Sequence, residues 1–142
     1  MRCNISFLRA VLVFVVLSIC VPAFADMTSE KRALESAQLW LTAVDDGRYA
    51  ESWETAAAYF RNAVSREQWQ RSLNSVRKPL GKVINRSVKT KQYTTSLPGA
   101  PDGKYVVIQF ETSFANKKAS VETVTPMLDK DGTWRVSGYY IK

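Results

Sequence analysis

The sequence contains no histidine, and its only two cysteines, Cys3 and Cys20, both lie in the first twenty residues. The first absence removes the usual proton shuttle near neutral pH, serine–histidine and cysteine–histidine nucleophiles, and imidazole metal ligands. If the amino terminus is a cleaved leader, the second absence leaves a chain with no disulfide, no thiol nucleophile and no thiolate ligand. Glycine-rich phosphate loops are missing too, because Pro98 to Gly103 fits neither the dinucleotide fingerprint nor the P-loop spacing. No metal and no cofactor are therefore expected. A catalyst built from this chain would have to rely on carboxylates, tyrosines or lysines.

Long hydrophobic runs are also scarce. The uncharged stretch Ala10–Val21 falls well short of the roughly 20 apolar residues that a membrane-spanning helix needs. Arg2 and Arg9 precede it, and Pro22 leads into Ala23-Phe24-Ala25, a small-x-small signal-peptidase site. Residues 1–25 read as a signal peptide cleaved after Ala25, and 26–142 as one domain, periplasmic or secreted, with no stable membrane anchor after cleavage. Leu17-Ser18-Ile19-Cys20 resembles a lipobox, but that motif wants a small residue before its cysteine and Ile19 is not small. Lipidation at Cys20 is the disfavoured alternative.

The formal net charge of the whole chain is +7. Acids are few in one region: Tyr59–Lys91 carries one acid and nine bases, whereas Asp26–Ala58 carries seven acids and three bases. A basic middle can attract a polyanion or an anionic surface, and can equally be a solvated face. Nucleic acid is not an expected partner of an exported protein.

Periodicity changes once, near Pro79. Before it the apolar spacing is helical. Thr28 or Ser29 can cap a first helix with the stripe Ala33, Leu34, Ala37, Trp40, Leu41 and Val44, ended by Asp45-Asp46-Gly47. A second helix starts near Arg48 and carries Tyr49, Trp53, Ala56, Ala57, Phe60 and Val64. Ser65 to Gln68 forms a capping box that opens a third, with Trp69, Leu73 and Val76 on one side.

After Gly81 the period becomes two. Ile84, Arg86, Val88 and Thr90 alternate with Asn85, Ser87 and Lys89 in a first strand. Lys104–Phe114 is a second, with Val106, Ile108, Phe110, Thr112 and Phe114 on one face. Ala119–Leu128 is a third, where Pro126 implies an edge or a bulge. Thr133–Lys142 is a fourth, with Trp134, Val136, Gly138 and Tyr140 opposite Arg135, Ser137, Tyr139 and Ile141. Connections this short require antiparallel pairing. The expected fold is α+β: three N-terminal helices packed on one face of a four-stranded antiparallel sheet.

Several stretches, taken in order, resemble an uncharacterised bacterial family known as domain of unknown function 4019. They are Asp45-Asp46-Gly47-Arg48-Tyr49-Ala50-Glu51-Ser52-Trp53, Arg77-Lys78-Pro79-Leu80-Gly81, Leu97 to Tyr105, Glu122-Thr123-Val124-Thr125-Pro126 and Gly132 to Ile141. The resemblance covers essentially all of 26–142 and implies an exported protein of unassigned activity, with no catalytic residues to carry over. More loosely, helices followed by a curved sheet are similar to the cone-shaped fold of nuclear transport factor 2 and its relatives. Those proteins include isomerases, dehydratases and non-catalytic binding modules, with pockets between helices and sheet.

Among carboxylates, Glu122 stands out, because its neighbours Val121 and Val124 could desolvate it and raise its affinity for a proton. A cross-strand or surface ion pair is the plainer reading of Glu122. Glu111 is expected to pair with a base such as Arg135, and Asp129 and Asp131 to be turn residues. The aromatics are numerous, and those not in the core could line an apolar pocket or a dimer patch. Trp53, Glu122, Tyr139 and Tyr140 are the candidate binding residues, with Glu122 the one weak catalytic candidate. The leading expectation is a non-enzymatic module for a small apolar ligand or a protein partner, monomeric or homodimeric. The alternatives are an isomerase- or dehydratase-like enzyme using Glu122, and an electrostatic adaptor for anionic envelope polymers.

Overall fold

A computed structural model of the protein describes residues 22–142. The basic and apolar parts of the expected leader, with Cys3 and the lipobox at Cys20, lie outside the described residues. Four helices come first: α1 (Pro22–Asp45), α2 (Tyr49–Glu54), α3 (Ala58–Ala63) and α4 (Arg66–Val76). A short 3-10 turn (Lys78–Leu80) then leads into β1 (Val83–Thr94), β2 (Tyr105–Phe114), β3 (Lys117–Leu128) and β4 (Trp134–Ile141). The strands form one antiparallel sheet in the order β1-β2-β3-β4. The fold class is α+β.

α1 begins at Pro22, so Thr28 and Ser29 stand inside the helix and do not cap it. Ala33, Ala37, Trp40, Leu41 and Val44 form the buried stripe of α1, which touches all four strands. The expected second helix is two short ones. The chain leaves the helix at Thr55–Ala57 because the Ala57 amide donates to the Val136 carbonyl at 2.8 Å, binding this corner to the edge of β4. Trp53 then closes the corner, its Nε1 donating to Val64 O at 2.7 Å. The capping box of α4 forms as its sequence requires: Ser65 Oγ accepts from the Gln68 amide while Gln68 Oε1 accepts from the Ser65 amide.

β2 follows its alternation, with Val106, Ile108, Phe110, Thr112 and Phe114 all buried on the face towards the helices. The other strands change phase at bulges. In β1 the register shifts between Val83 and Asn85 and again between Val88 and Thr90. Arg86 and Val88 oppose the inward-facing Thr112 and Phe110, but beyond the second bulge Lys91 and Tyr93, not Thr90, oppose Ile108 and Val106. In β4, Thr125 pairs with Gly138 and Pro126 with Val136, so Ser137 is the extra residue. Pro126 therefore marks a bulge and not a sheet edge. One added residue moves every later side chain to the opposite face. Trp134, Val136 and Tyr139 consequently share the inner face, and Tyr140 faces outward at 49% exposure. The expected grouping of Tyr140 with Trp134 and Val136 fails at this bulge.

The core joins the stripe of α1 to Trp69 and Leu73 of α4 and to the inner face of β2, β3 and β4. Aromatic rings fill its centre. Tyr139 meets Trp40 edge-on at 5.3 Å between centroids, and Phe60 meets Trp69 edge-on at 5.0 Å. Such pairs contribute roughly 0.5–1.5 kcal/mol each beyond their buried area. Among the described residues, no helix is long and apolar enough to cross a membrane.

Candidate functional site

Within this apolar interior lies a chain of charges. Arg86 projects from β1 onto the inner face and donates from Nε to Glu122 Oε2 at 2.7 Å and from Nη2 to Glu122 Oε1 at 3.1 Å. The same guanidinium reaches Asp45 at the end of α1, at 2.6 Å from Nη1 and 2.9 Å from Nη2. Asp45 in turn accepts from Arg77 Nη2 at 3.1 Å. Arg77 is buried, stacks with its guanidinium carbon 4.5 Å from the centre of the Phe114 ring, and donates from Nη1 to Gly81 O at 2.7 Å. Two arginines and two carboxylates thus neutralise one another across α1, the residue that caps α4, β1 and β3.

Glu122 has no solvent exposure. Besides Arg86 it accepts from Thr112 Oγ1 on β2 at 2.5 Å and from the Tyr139 hydroxyl on β4 at 2.6 Å. Each carboxylate oxygen accepts two hydrogen bonds, which is the full capacity of an ionised carboxylate. Burial lowers the proton affinity of the Arg86 guanidinium, but the hydrogen bonds and charges of Asp45 and Glu122 more than reverse this and hold it above the usual arginine range. Burial, then the charge and hydrogen bond of Glu122, push the Tyr139 phenol well above the usual tyrosine range. The arrangement fixes Glu122 as an acceptor and Tyr139 as a neutral donor.

Of the expected site residues, the structure brings Glu122 and Tyr139 into direct contact and separates Trp53 and Tyr140 from them. Trp53 is committed to the α2–α3 corner, and Tyr140 stands on the outer sheet face with Lys142 Nζ 5.7 Å from its ring centre. Glu111 does not pair with Arg135. Its partner is Lys89 at 3.1 Å, whereas Arg135 holds Asp129 and Asp131 of the β3–β4 turn. Arg86, Asp45, Arg77 and Thr112 escaped the sequence reading as a group. The available signal was a basic residue, Arg86, in the inward phase of a strand.

Among the described residues no group of histidine, cysteine, aspartate and glutamate could hold a metal ion. The open spaces lie elsewhere. The most voluminous described, about 940 Å³, is a cleft between α3, the 97–103 turn and the β3–β4 turn. Its wall includes Tyr59, Pro101, Met127 and Leu128, with Arg61, Asp102 and Lys130 among them. Two bonds hold its sides together: the Tyr59 hydroxyl donates to Gly99 O at 3.0 Å, and the Ala58 amide donates to Asp129 Oδ2 at 3.3 Å. Glu122 does not line this cleft.

A family model described as "Protein of unknown function (DUF4019)" matches residues 36–139. A solved structure from Catenulispora acidiphila is similar with a TM-score of 0.56 at 13% sequence identity, covering 84% of this chain and 94% of that one. At that identity the likeness shows the fold alone. No curated protein matches the chain.

Proposed function

The chain belongs to the DUF4019 family of proteins of unknown function, and from that premise we propose that it is a non-enzymatic exported module. It binds a small ligand with an apolar body and a polar end in the cleft between α3, the 97–103 turn and the β3–β4 turn. The observation that carries this reading is the saturation of Glu122 by Arg86, Thr112 and Tyr139. A general base needs a free lone pair within reach of substrate, and Glu122 is sealed and fully engaged. The isomerase or dehydratase alternative would require this carboxylate to be unhitched from Arg86.

The cleft meets the usual requirement of a ligand site, an apolar lining with a few polar groups to set orientation. Tyr59, Pro101, Met127 and Leu128 supply the first, and Arg61, Asp102 and Lys130 the second. Export is supported by Arg2 and Arg9, the Ala10–Val21 run and Ala23-Phe24-Ala25. The finer architecture assigned here is the cone of the nuclear transport factor 2 relatives, supported by the bulges in β1 and β4, which curl a sheet around its covering helix.

The test uses protein recovered from the periplasm of an expressing cell. Intact mass is expected to place its first residue at Asp26. Titration with the fluorescent apolar probe N-phenyl-1-naphthylamine should show saturable binding. Met127→Arg should weaken it by about tenfold or more, since a charge replaces apolar surface in the wall. Glu122→Gln, if folded, should leave it within about twofold, a difference of under half a kcal/mol. Loss of binding in Glu122→Gln with retention in Met127→Arg would overturn the assignment.

A further inference from the structure

The C-terminal ends of α1 and α4 enclose a second open groove of about 520 Å³. Its wall holds four cations, Arg48, Arg77, Lys78 and Lys82, and two carboxylates, Asp45 and Asp46. Both carboxylates are already engaged. Asp45 is taken by Arg77 and Arg86, and Asp46 by Arg48. Lys78 and Lys82 have no ion pair among the described residues and are exposed. The 3-10 turn and Gly81 place them together. Gly81 has φ 77°, a conformation that costs glycine little, and a Cβ there would come within 3.1 Å of Asn116 Nδ2 and 3.2 Å of Ala115 Cβ. This reversal brings Lys82 back alongside Lys78. Arg77, buried in the same wall, adds its guanidinium charge beneath the two lysines.

We propose that this groove is an anion site, taking a phosphate or carboxylate group between Lys78 and Lys82, with Arg77 behind them. The acids of the wall are already paired, Asp45 with Arg77 and Arg86 inside the fold and Asp46 with Arg48 at the surface. The same chemistry could be presented by a free small anion or by a lipid headgroup. The site is distinct from the cleft beside α3, with which it shares no wall residue.

The experiment is an amide-shift titration of the protein with inorganic phosphate at low ionic strength, with a parallel co-sedimentation assay on phosphatidylglycerol vesicles. Wild type should show saturable shifts centred on 45–50 and 74–82. The double variant Lys78→Ala/Lys82→Ala should weaken phosphate binding by about fivefold or more, as expected for two lost charge contacts. Lys117→Ala/Lys118→Ala, with the same change in net charge at the start of β3, should leave it within about twofold. Raising salt to about 0.15 M should weaken the wild-type interaction. Vesicle binding lost in the first variant and kept in the second supports a headgroup, and phosphate binding without vesicle binding supports a free anion. Unsaturable shifts, or equal weakening in both variants, would overturn the proposal.

Discussion

Arg86 of β1 grips Glu122 of β3 across the intervening strand, with two hydrogen bonds of 2.7 and 3.1 Å, under the cover of α1. The pair is 14% and 0% exposed at its side chains, so both ions have been taken almost wholly out of water. Desolvation of this kind roughly cancels the attraction, and a buried pair adds little net stability while its loss by halves is expensive. The position of the pair explains what it does. It ties strands that are not neighbours to one another, and through Asp45 to the end of α1, so the sheet and its covering helix have one alignment.

Removing either partner alone should therefore be costly. Arg86→Met leaves Glu122 buried with only Thr112 and Tyr139 as donors, and Glu122→Leu leaves Arg86 with Asp45 alone. Each is expected to lower the unfolding free energy by about 3–5 kcal/mol, with the midpoint in urea reduced and its slope unchanged. The double variant Arg86→Met/Glu122→Leu should be less destabilised than either single change, because it strands neither charge. If the double variant loses the sum of the two, the pair is not coupled as described.

The alkaline limb of stability should depend on Tyr139. Burial and then Glu122 hold its phenol above the roughly 10 of an unfolded tyrosine. A raised folded-state value means that the native state keeps the proton longer. The contribution is complete below about pH 10 and is lost as pH rises above it. The limiting slope for one such group is about 1.4 kcal/mol per pH unit. Tyr139→Phe should be less stable near neutrality by about 1–3 kcal/mol, since Glu122 loses a donor. Its stability should fall less steeply between about pH 10 and 11. Tyr49 and Tyr105, raised by burial, will keep some dependence in the variant. Parallel curves for the two proteins would show that Tyr139 does not titrate with unfolding.

Much of the scaffold was legible along the chain, and the reasons are local. The stripe of α1, the capping box at Ser65 and Gln68, and the alternation of β2 each depend on side chains a few residues apart. The break after Glu54 was hidden, because the acceptor that draws Ala57 out of the helix is Val136, far along the chain. The bulges were hidden as well. Ser137 has no residue type that marks a bulge, and an unbroken period of two puts Tyr139 on the wrong face. The candidate site suffered most from this. Glu122 was visible as a desolvated strand carboxylate, but its partners come from three other strands through Arg86, Thr112 and Tyr139.

That reading makes the bulge itself testable. Deleting Ser137 removes the extra residue and leaves plain alternation, in which Trp134, Val136 and Tyr139 stay on the inner face and Tyr140 stays outward. Tyr139 should then keep its edge-on contact with Trp40 and its bond to Glu122. The deletion loses the bond from the Ser137 hydroxyl to Thr125 O at 2.8 Å, a cost of about 0.5–1.5 kcal/mol. Nuclear Overhauser contacts between Tyr139 and Trp40 should survive in the folded variant. Their loss would mean that Ser137 is not the residue that sets the faces of β4.

A last prediction concerns Ser52, a small residue with no exposure that sits between two indoles. Its hydroxyl accepts from Trp69 Nε1 at 2.9 Å and donates to Tyr49 O at 2.8 Å, while its carbonyl accepts from Trp40 Nε1 at 2.7 Å. Ser52→Ala removes only one oxygen and keeps the helix. It nevertheless leaves the Trp69 indole N–H in an interior with no acceptor, a loss of about 1–3 kcal/mol for a buried donor. The Trp40 bond, made to the backbone, should persist. In a proton spectrum the Trp69 indole resonance should therefore move markedly while that of Trp40 stays close to its original position. Were both to shift together, or the melting temperature to be unchanged, Ser52 would be filling space and not holding the two rings in register.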